Sequence, residues 1–243
     1  MKTLPLVEVF YSLQGEGSCV GQPSVFIRLG GCNFKCVGFG VQSRIEGKEV
    51  LGCDSAYAVR PNAQWQYLNN PQELLAKLPP FNPDRLPLIV LTGGEPSLHF
   101  KNPILLEALE VLGERGHEIW VESNGSMFFD FNPPLDSLHF TLSPKLSFSG
   151  ETTPLKPLQN IIDHALEVVF KFVLHCPTDI DEAQALLKNL CFKTPPLVYL
   201  MPLATDMQTL QEGLENLASV CLEHGYSLGQ RLHIQLWGNE AGR

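Results

Sequence analysis

Cys32-Asn33-Phe34-Lys35-Cys36 and, after a polar stretch, Cys53-Asp54-Ser55 bring three thiols into one region of a 243-residue chain. Three thiolates can hold three irons of a four-iron cluster. The fourth iron then stays open to a ligand, and an open position serves chemistry. Free cysteine also packs as a small apolar residue, which suits Cys19, Cys176, Cys191 or Cys221 taken singly. It suits this loop poorly, because Gly30, Gly31, Gly38, Gly40 and Gly52 surround the thiols and apolar packing is thin. Seven cysteines, an odd number, favour reduced thiols and metal ligation over a disulfide framework.

Other polar groups stand where strands should end. Arg28 interrupts an apolar run, and its guanidinium can bind a carboxylate with two parallel bonds or pair with Glu8 or Glu16. Thr92-Gly93-Gly94-Glu95-Pro96 follows a buried run, and its paired glycines expose backbone to a ligand or make a tight strand-to-helix turn. Glu122 and Asn124 end another strand, as ligand contacts or as caps of the next element.

The elements that must carry these groups alternate. Short runs rich in β-branched and aromatic residues predict strands at 24–29, 88–92, 118–122, 138–142, 168–174, 197–201 and 232–237. Several are apolar throughout, as strands buried on both faces are. Asn70-Pro71-Gln72-Glu73 reads as a capping box with proline at the first helical position. Asn102-Pro103 opens a helix that stops near Gly116, and Thr205-Asp206-Met207-Gln208 opens one ending near Gly225. Alternation implies parallel pairing through crossovers, with an open sheet and an incompletely closed barrel looking alike at this level. One domain spanning 1–243 is expected.

The hydrophobic share of 44% belongs to a globular chain with a sizeable core. No segment is apolar for long enough to cross a membrane. Glu8 interrupts the apolar start and no small-residue cleavage site follows, so a mature cytoplasmic chain is expected. The formal net charge of −9 argues against a nucleic-acid binder, which would show a basic stripe.

The cysteine pattern resembles the radical S-adenosylmethionine (SAM) superfamily, whose usual spacing is C-x3-C-x2-C. Here Phe39 holds the usual third position and Cys53 follows after sixteen intervening residues. The segments Phe10–Gly17, Gly21-Gln22-Pro23, Phe26-Ile27-Arg28 and Gly31-Cys32-Asn33 read like the start of 7-carboxy-7-deazaguanine synthases. Cys53-Asp54-Ser55 is similar to that family's Cys-Asp-Thr, which makes residues 37–52 an insertion in the cluster loop. Thr92–Pro96, Glu122-Ser123-Asn124-Gly125 and Ser143-Pro144-Lys145 follow in the family's order. The likeness is strong up to Lys145 and weak beyond.

The resemblance implies an α/β fold, a partial (open) β/α barrel of the radical SAM type with mainly parallel strands. It implies cluster ligation by Cys32, Cys36 and Cys53, and SAM contacts at Gly52, Cys53, Asp54, Gly94, Ser143, Pro144 and Lys145. Substrate contacts fall on Leu13 (through its backbone), Gln14, Gly15, Arg28 and Thr92, and Ser55 supplies a hydroxyl to Mg²⁺, which prefers oxygen ligands. The implied reaction turns 6-carboxy-5,6,7,8-tetrahydropterin into 7-carboxy-7-deazaguanine with loss of ammonia, on the way to queuosine or another 7-deazapurine. It starts from one-electron cleavage of SAM, needs an electron donor, and is catalysed by a homodimer.

Two departures stand out. Gln235-Leu236-Trp237-Gly238 lies where relatives often show Gln-x-His-Lys, and Met201-Pro202 where Gln-Pro is common. Trp237 reads as core rather than as a stacking platform, and His233 as a satisfied histidine on the last strand. Two other functions compete. A glycyl-radical-activating enzyme would share the cluster without needing the Gln14–Arg28 pocket. A zinc-binding scaffold would need a fourth protein ligand from a distant Cys or His.

Overall fold

The structure is a computed structural model that describes residues 3–238 together with Glu240 and Gly242. The expected single domain over 1–243 also includes Met1, Lys2, Asn239, Ala241 and Arg243, which lie outside the described residues. The strands are β1 (Leu4–Leu13), β2 (Pro23–Leu29), β3 (Val41–Ile45), β4 (Lys48–Gly52), β5 (Gln66–Leu68), β6 (Leu88–Gly93), β7 (Ile119–Ser123), β8 (His139–Leu142), β9 (Glu167–Leu174), β10 (Leu197–Pro202) and β11 (Ser227–Leu228). The helices are α1 (Ala56–Val59), α2 (Pro71–Leu75), α3 (Pro103–Glu114), α4 (Leu155–His164), α5 (Ile180–Lys188), α6 (Met207–His224) and α7 (Leu232–Trp237).

Nine strands form one sheet in the order β11-β10-β9-β8-β7-β6-β2-β1-β5. Pairing is parallel from β11 through β2. β1 runs antiparallel to both β2 and β5. The two edge strands do not pair with each other, so the sheet stays open. The fold is α/β with a mainly parallel sheet, as expected.

Side-chain alternation gives the sheet two different faces. Ile27, Leu91, Val121, Phe170, Phe172 and Leu200 turn to one face and join Leu105, Leu109, Leu158 and Leu217 of the helices in the main core. The other face is built in two layers. Leu88, Trp120 and Val169 pack with Cys19 and Tyr199 into a small apolar floor. Two or four residues further along the same strands, Thr92, Glu122, Lys171 and Met201 line a cavity. The polar groups therefore stand at the carboxyl ends of the strands, where open parallel sheets bind ligands.

Local chemistry explains the helix ends. Asn102 Oδ1 accepts from the Ile104 N–H at 3.0 Å, with Pro103 in the first turn. Asp206 Oδ1 accepts from the Thr209 N–H at 2.9 Å, and α6 stops at Gly225, whose φ of 69° is left-handed. Glu73 reaches back as expected, although to the N–H of Asn69.

The expected strand at 232–237 is a helix instead. Leu-His-Ile-Gln-Leu-Trp alternates apolar with polar, which mimics a strand, but six residues also make one and a half helical turns. Tertiary anchoring decides between them: the Leu232 N–H donates to Gly15 O, and the Arg231 carbonyl then accepts from the N–H groups of Ile234 and Gln235 in helical register. His233 accordingly sits on a helix, and Ile234 rather than Trp237 is its buried core residue; Trp237 is half-buried.

Candidate active site

A cavity of about 470 Å³ opens over the strand ends, within the range of roughly 300–1,000 Å³ common for small-molecule sites. Cys32, Cys36 and Cys53 all line it. So do Leu13, Gln14, Gly15, Arg28, Asp54, Ser55, Thr92, Gly94, Ser143 and Lys145. Of the residues expected at the site, Gly52 and Pro144 do not line it. Gly52 faces a small recess beside α1.

The thiols arrive from two directions. Cys32 and Cys36 follow β2, and Cys36 adopts a left-handed φ of 47°. Glu151 holds that turn by accepting from the N–H groups of Lys35 and Cys36, at 2.7 and 3.3 Å. Cys53 returns at the end of a hairpin formed by the insertion. β3 and β4 pair from Val41↔Gly52 to Ile45↔Lys48, joined by Glu46 and Gly47 with φ of 49° and 79°. Two positive φ values in a two-residue loop are the tight hairpin turn that matches strand twist. Val41, Gln42 and Ser43 of β3 wall the cavity, and Phe39 packs edge-on against Phe148 at 5.4 Å.

Burial pushes the Cys32 thiol up to about 11 and the Cys36 thiol up to about 12, and raises Cys53 as well. Lys145 pulls all three the other way, so one ammonium feels every thiol. Its Nζ lies 5.6 Å over the Phe39 ring. Beside Cys32, Gly94 leaves no room for a side chain: a Cβ there would meet Gly31 O at 2.3 Å and Cys32 Cβ at 2.9 Å. Glu95, 1% exposed, ties these pieces together. Its carboxylate accepts from Ser97 N–H, Ser97 O–H, Ser123 O–H and Asn124 N–H at 2.5–3.0 Å.

Arg28 meets both readings left open for it. Its Nε donates to Glu8 Oε1 at 2.7 Å, and it also lines the cavity. A carboxylate ligand would take the two terminal nitrogens. Burial opposes its charge, but Tyr57 and Glu8 leave the guanidinium more firmly protonated than usual. Burial also pushes the Tyr57 hydroxyl, which donates to the same Glu8, up to about 12. Gln14 and Thr92 converge on Glu122, donating to its two oxygens at 3.2 and 3.1 Å.

The sequence reading missed a chain of charges along the wall. Glu16 accepts from Lys171 Nζ at 2.6 Å and Arg231 Nε at 2.9 Å, and Arg231 Nη2 reaches Asp54 at 2.6 Å. Burial would raise the Glu16 carboxyl, but Lys171 and Arg231 override it and hold it far below the ordinary range. Asp54 is lowered in the same way by Arg231. A lone lysine in the apolar run 168–174 was a legible signal for Lys171. Nothing local marks Arg231. His233 also lines the cavity, its ring against Gly15, where a Cβ would meet Nδ1 at 2.4 Å. Burial lowers its imidazole below the ordinary value.

A three-iron grip fits this donor set. Three thiols face one cavity and influence one another's charge, and bare backbone stands beside Cys32. Three thiols leave one corner of a four-iron cluster without a protein ligand, whereas a structural zinc site needs a fourth protein ligand.

No family model matches the chain. The 7-carboxy-7-deazaguanine synthase of Halobacterium salinarum is 31% identical, over 97% of this chain and 91% of that protein. That of Pyrobaculum aerophilum is 30% identical, over 98% and 96%. The crystal structure of QueE from Escherichia coli shares the fold, with a TM-score of 0.67 at 23% identity over 95% of both chains. With a shared sequence over nearly its whole length and the expected residues around one cavity, the chain belongs to the 7-carboxy-7-deazaguanine synthase family.

Proposed function

We propose that this chain is a radical SAM lyase that converts 6-carboxy-5,6,7,8-tetrahydropterin to 7-carboxy-7-deazaguanine with loss of ammonia, in queuosine biosynthesis. The observation that carries the reading is the shared cavity, which the three thiols line together with the Gln14–Gly15 segment and Arg28. A glycyl-radical-activating protein would have no use for that pocket.

Cys32, Cys36 and Cys53 would hold the [4Fe–4S] cluster, and the bare backbone at Gly94 would admit the amino end of SAM. Bound together, cluster and SAM would supply the one-electron chemistry, reductive cleavage of SAM and then abstraction of a substrate hydrogen atom. Ser143 and Lys145 contribute polar contacts to SAM, with Lys145 balancing charge near the sulfurs. Pro144 keeps the turn between them, and Gly52 and Asp54 flank Cys53 in sequence, Asp54 lining the cavity and Gly52 supporting the loop from behind.

In the same cavity Arg28 takes the substrate carboxylate through its terminal nitrogens, because Glu8 already fixes Nε. Leu13 and Gly15 offer backbone groups. Gln14 and Thr92 reach the ring with Glu122 orienting both. His233, neutral at pH 7 because of its burial, supplies a ring nitrogen beside Gly15. Ser55 gives its hydroxyl to Mg²⁺ near the carboxylate. The hairpin wall of Val41–Ser43 limits the entry of water.

Anaerobic incubation of the iron–sulfur-reconstituted chain with SAM, a reductant and the carboxypterin tests the reading. Formation of 7-carboxy-7-deazaguanine, identified by mass, supports it. Intact cluster with SAM cleavage but no such product overturns it. Zinc without sulfide in anaerobically purified protein would favour the scaffold instead.

A further inference from the structure

One guanidinium joins three distant segments of the wall. Arg231 Nε holds Glu16 across 215 residues of sequence and Nη2 holds Asp54 across 177, while Nη1 donates to the Ala204 carbonyl. The next N–H, that of Leu232, donates to Gly15 O at 2.9 Å. Glu16 directly follows the expected substrate residues Gln14 and Gly15. Asp54 lies between Cys53, an expected cluster ligand, and Ser55.

We propose that Arg231 is a positioning residue that locks the substrate segment and the third-cysteine loop into one register, so that occupation of one is registered at the other. This rests on the functional reading above for the identity of the two ligands.

The geometry gives the physical reason. A guanidinium is planar and presents its donors at fixed angles, so partners on two of its nitrogens cannot shift independently. The side chain of Arg231 is 9% exposed and that of Glu16 13%, which limits screening by water on that side; that of Asp54 is 39% exposed, and its link rests on the 2.6 Å contact. Lys171 fixes the other Glu16 oxygen, so a shift at Gly15–Glu16 is resisted at one end and passed to Asp54 at the other. A cavity serving two ligands gains order from such a tie, because SAM cleavage before the substrate is seated would waste the cofactor.

The test compares Arg231→Met and Arg231→Lys with the unaltered full chain, reconstituted anaerobically. The first readout is 5′-deoxyadenosine released per 7-carboxy-7-deazaguanine formed. In Arg231→Met it should rise about tenfold, a usual size for coupling between two sites. Arg231→Lys should stay raised, because an ammonium cannot fork. The second readout is amide hydrogen exchange. In the unaltered protein the carboxypterin should protect residues 14–16 and 53–55 together; in Arg231→Met it should protect the first segment alone. Unchanged release, or substrate protection confined to 14–16 in the unaltered protein, overturns the proposal.

If Arg231→Met fails to hold iron, Glu16→Gln, Asp54→Asn and their double variant replace it. Non-additive effects on the ratio support the tie, and additive ones overturn it. If the unaltered chain makes no 7-carboxy-7-deazaguanine, the functional reading fails and SAM becomes the probe. SAM should then protect 14–16 in the unaltered protein but not in Arg231→Met, and equal behaviour in both overturns the tie.

Discussion

Cys19 is buried and Cys53 only partly so, yet of the two only Cys53 faces the cavity. Cys53→Ala should therefore lose most of the iron and sulfide bound on reconstitution and all SAM cleavage. Cys19→Ala, in the apolar floor, should keep both; metal analysis and a SAM-cleavage assay read the difference. Arg28→Ala should raise KM for the carboxypterin about 10- to 100-fold, matching the roughly 1.5–3 kcal/mol of hydrogen bonds to a charged group. SAM affinity should hardly change, and Arg28→Lys should not restore the loss. Glu95→Gln should cost about 1–3 kcal/mol in denaturant unfolding, because its new NH₂ would face donors on Ser97, Ser123 or Asn124. The residues that could be found in the sequence were those whose chemistry is odd for their neighbourhood: clustered thiols among glycines, Arg28 in an apolar run. Arg231 was hidden because a surface arginine and a buried one look alike until Glu16 and Asp54 arrive from far upstream.

Among the elements, six of the seven expected strands fall within one residue of their observed ends. Parallel strands buried on both faces are continuous apolar runs, and nothing else in this chain looks like them. β1 was read only for its motif residues, and it proves to be the antiparallel strand that delivers Leu13 and Gln14. α7 was mistaken because six alternating residues fit two periods, and the packing that decides lies elsewhere in the chain. The segment between β6 and the following short turn leaves no space beside Cys32. Gly94→Ala would drive a methyl into Gly31 O and move Cys32. The expected outcome is a fall of about 100-fold in kcat/KM for SAM, the scale of a displacement near 1 Å. Steady-state kinetics with saturating substrate would measure it.

For the molecule as a whole, the buried charges set a direction for stability against pH. Burial keeps His233 and His99 below their ordinary 6.5, so below that pH the unfolded chain binds protons the folded one refuses. Glu16, held down by Lys171 and Arg231 despite burial, and Asp54, held down by Arg231, add stability that is complete above their ordinary 4.5 and 3.8 and is lost in acid. Both trends have the same sign. Lys171 and Arg231 are raised, so their contribution fails only above 10.5. Thermal unfolding followed against pH should show a plateau at about pH 7–9 and a two-stage fall below it. His233→Gln with His99→Gln should remove the upper stage and leave the lower. The hairpin bears on the molecule in another way. Val41 lies directly opposite Gly52, so the chain leaves and re-enters at neighbouring points about 5 Å apart. It is a detour with almost no net travel. Sixteen letters separate two sulfurs that the backbone has, in effect, kept as near neighbours, and a ruler laid along the sequence measures the wrong distance.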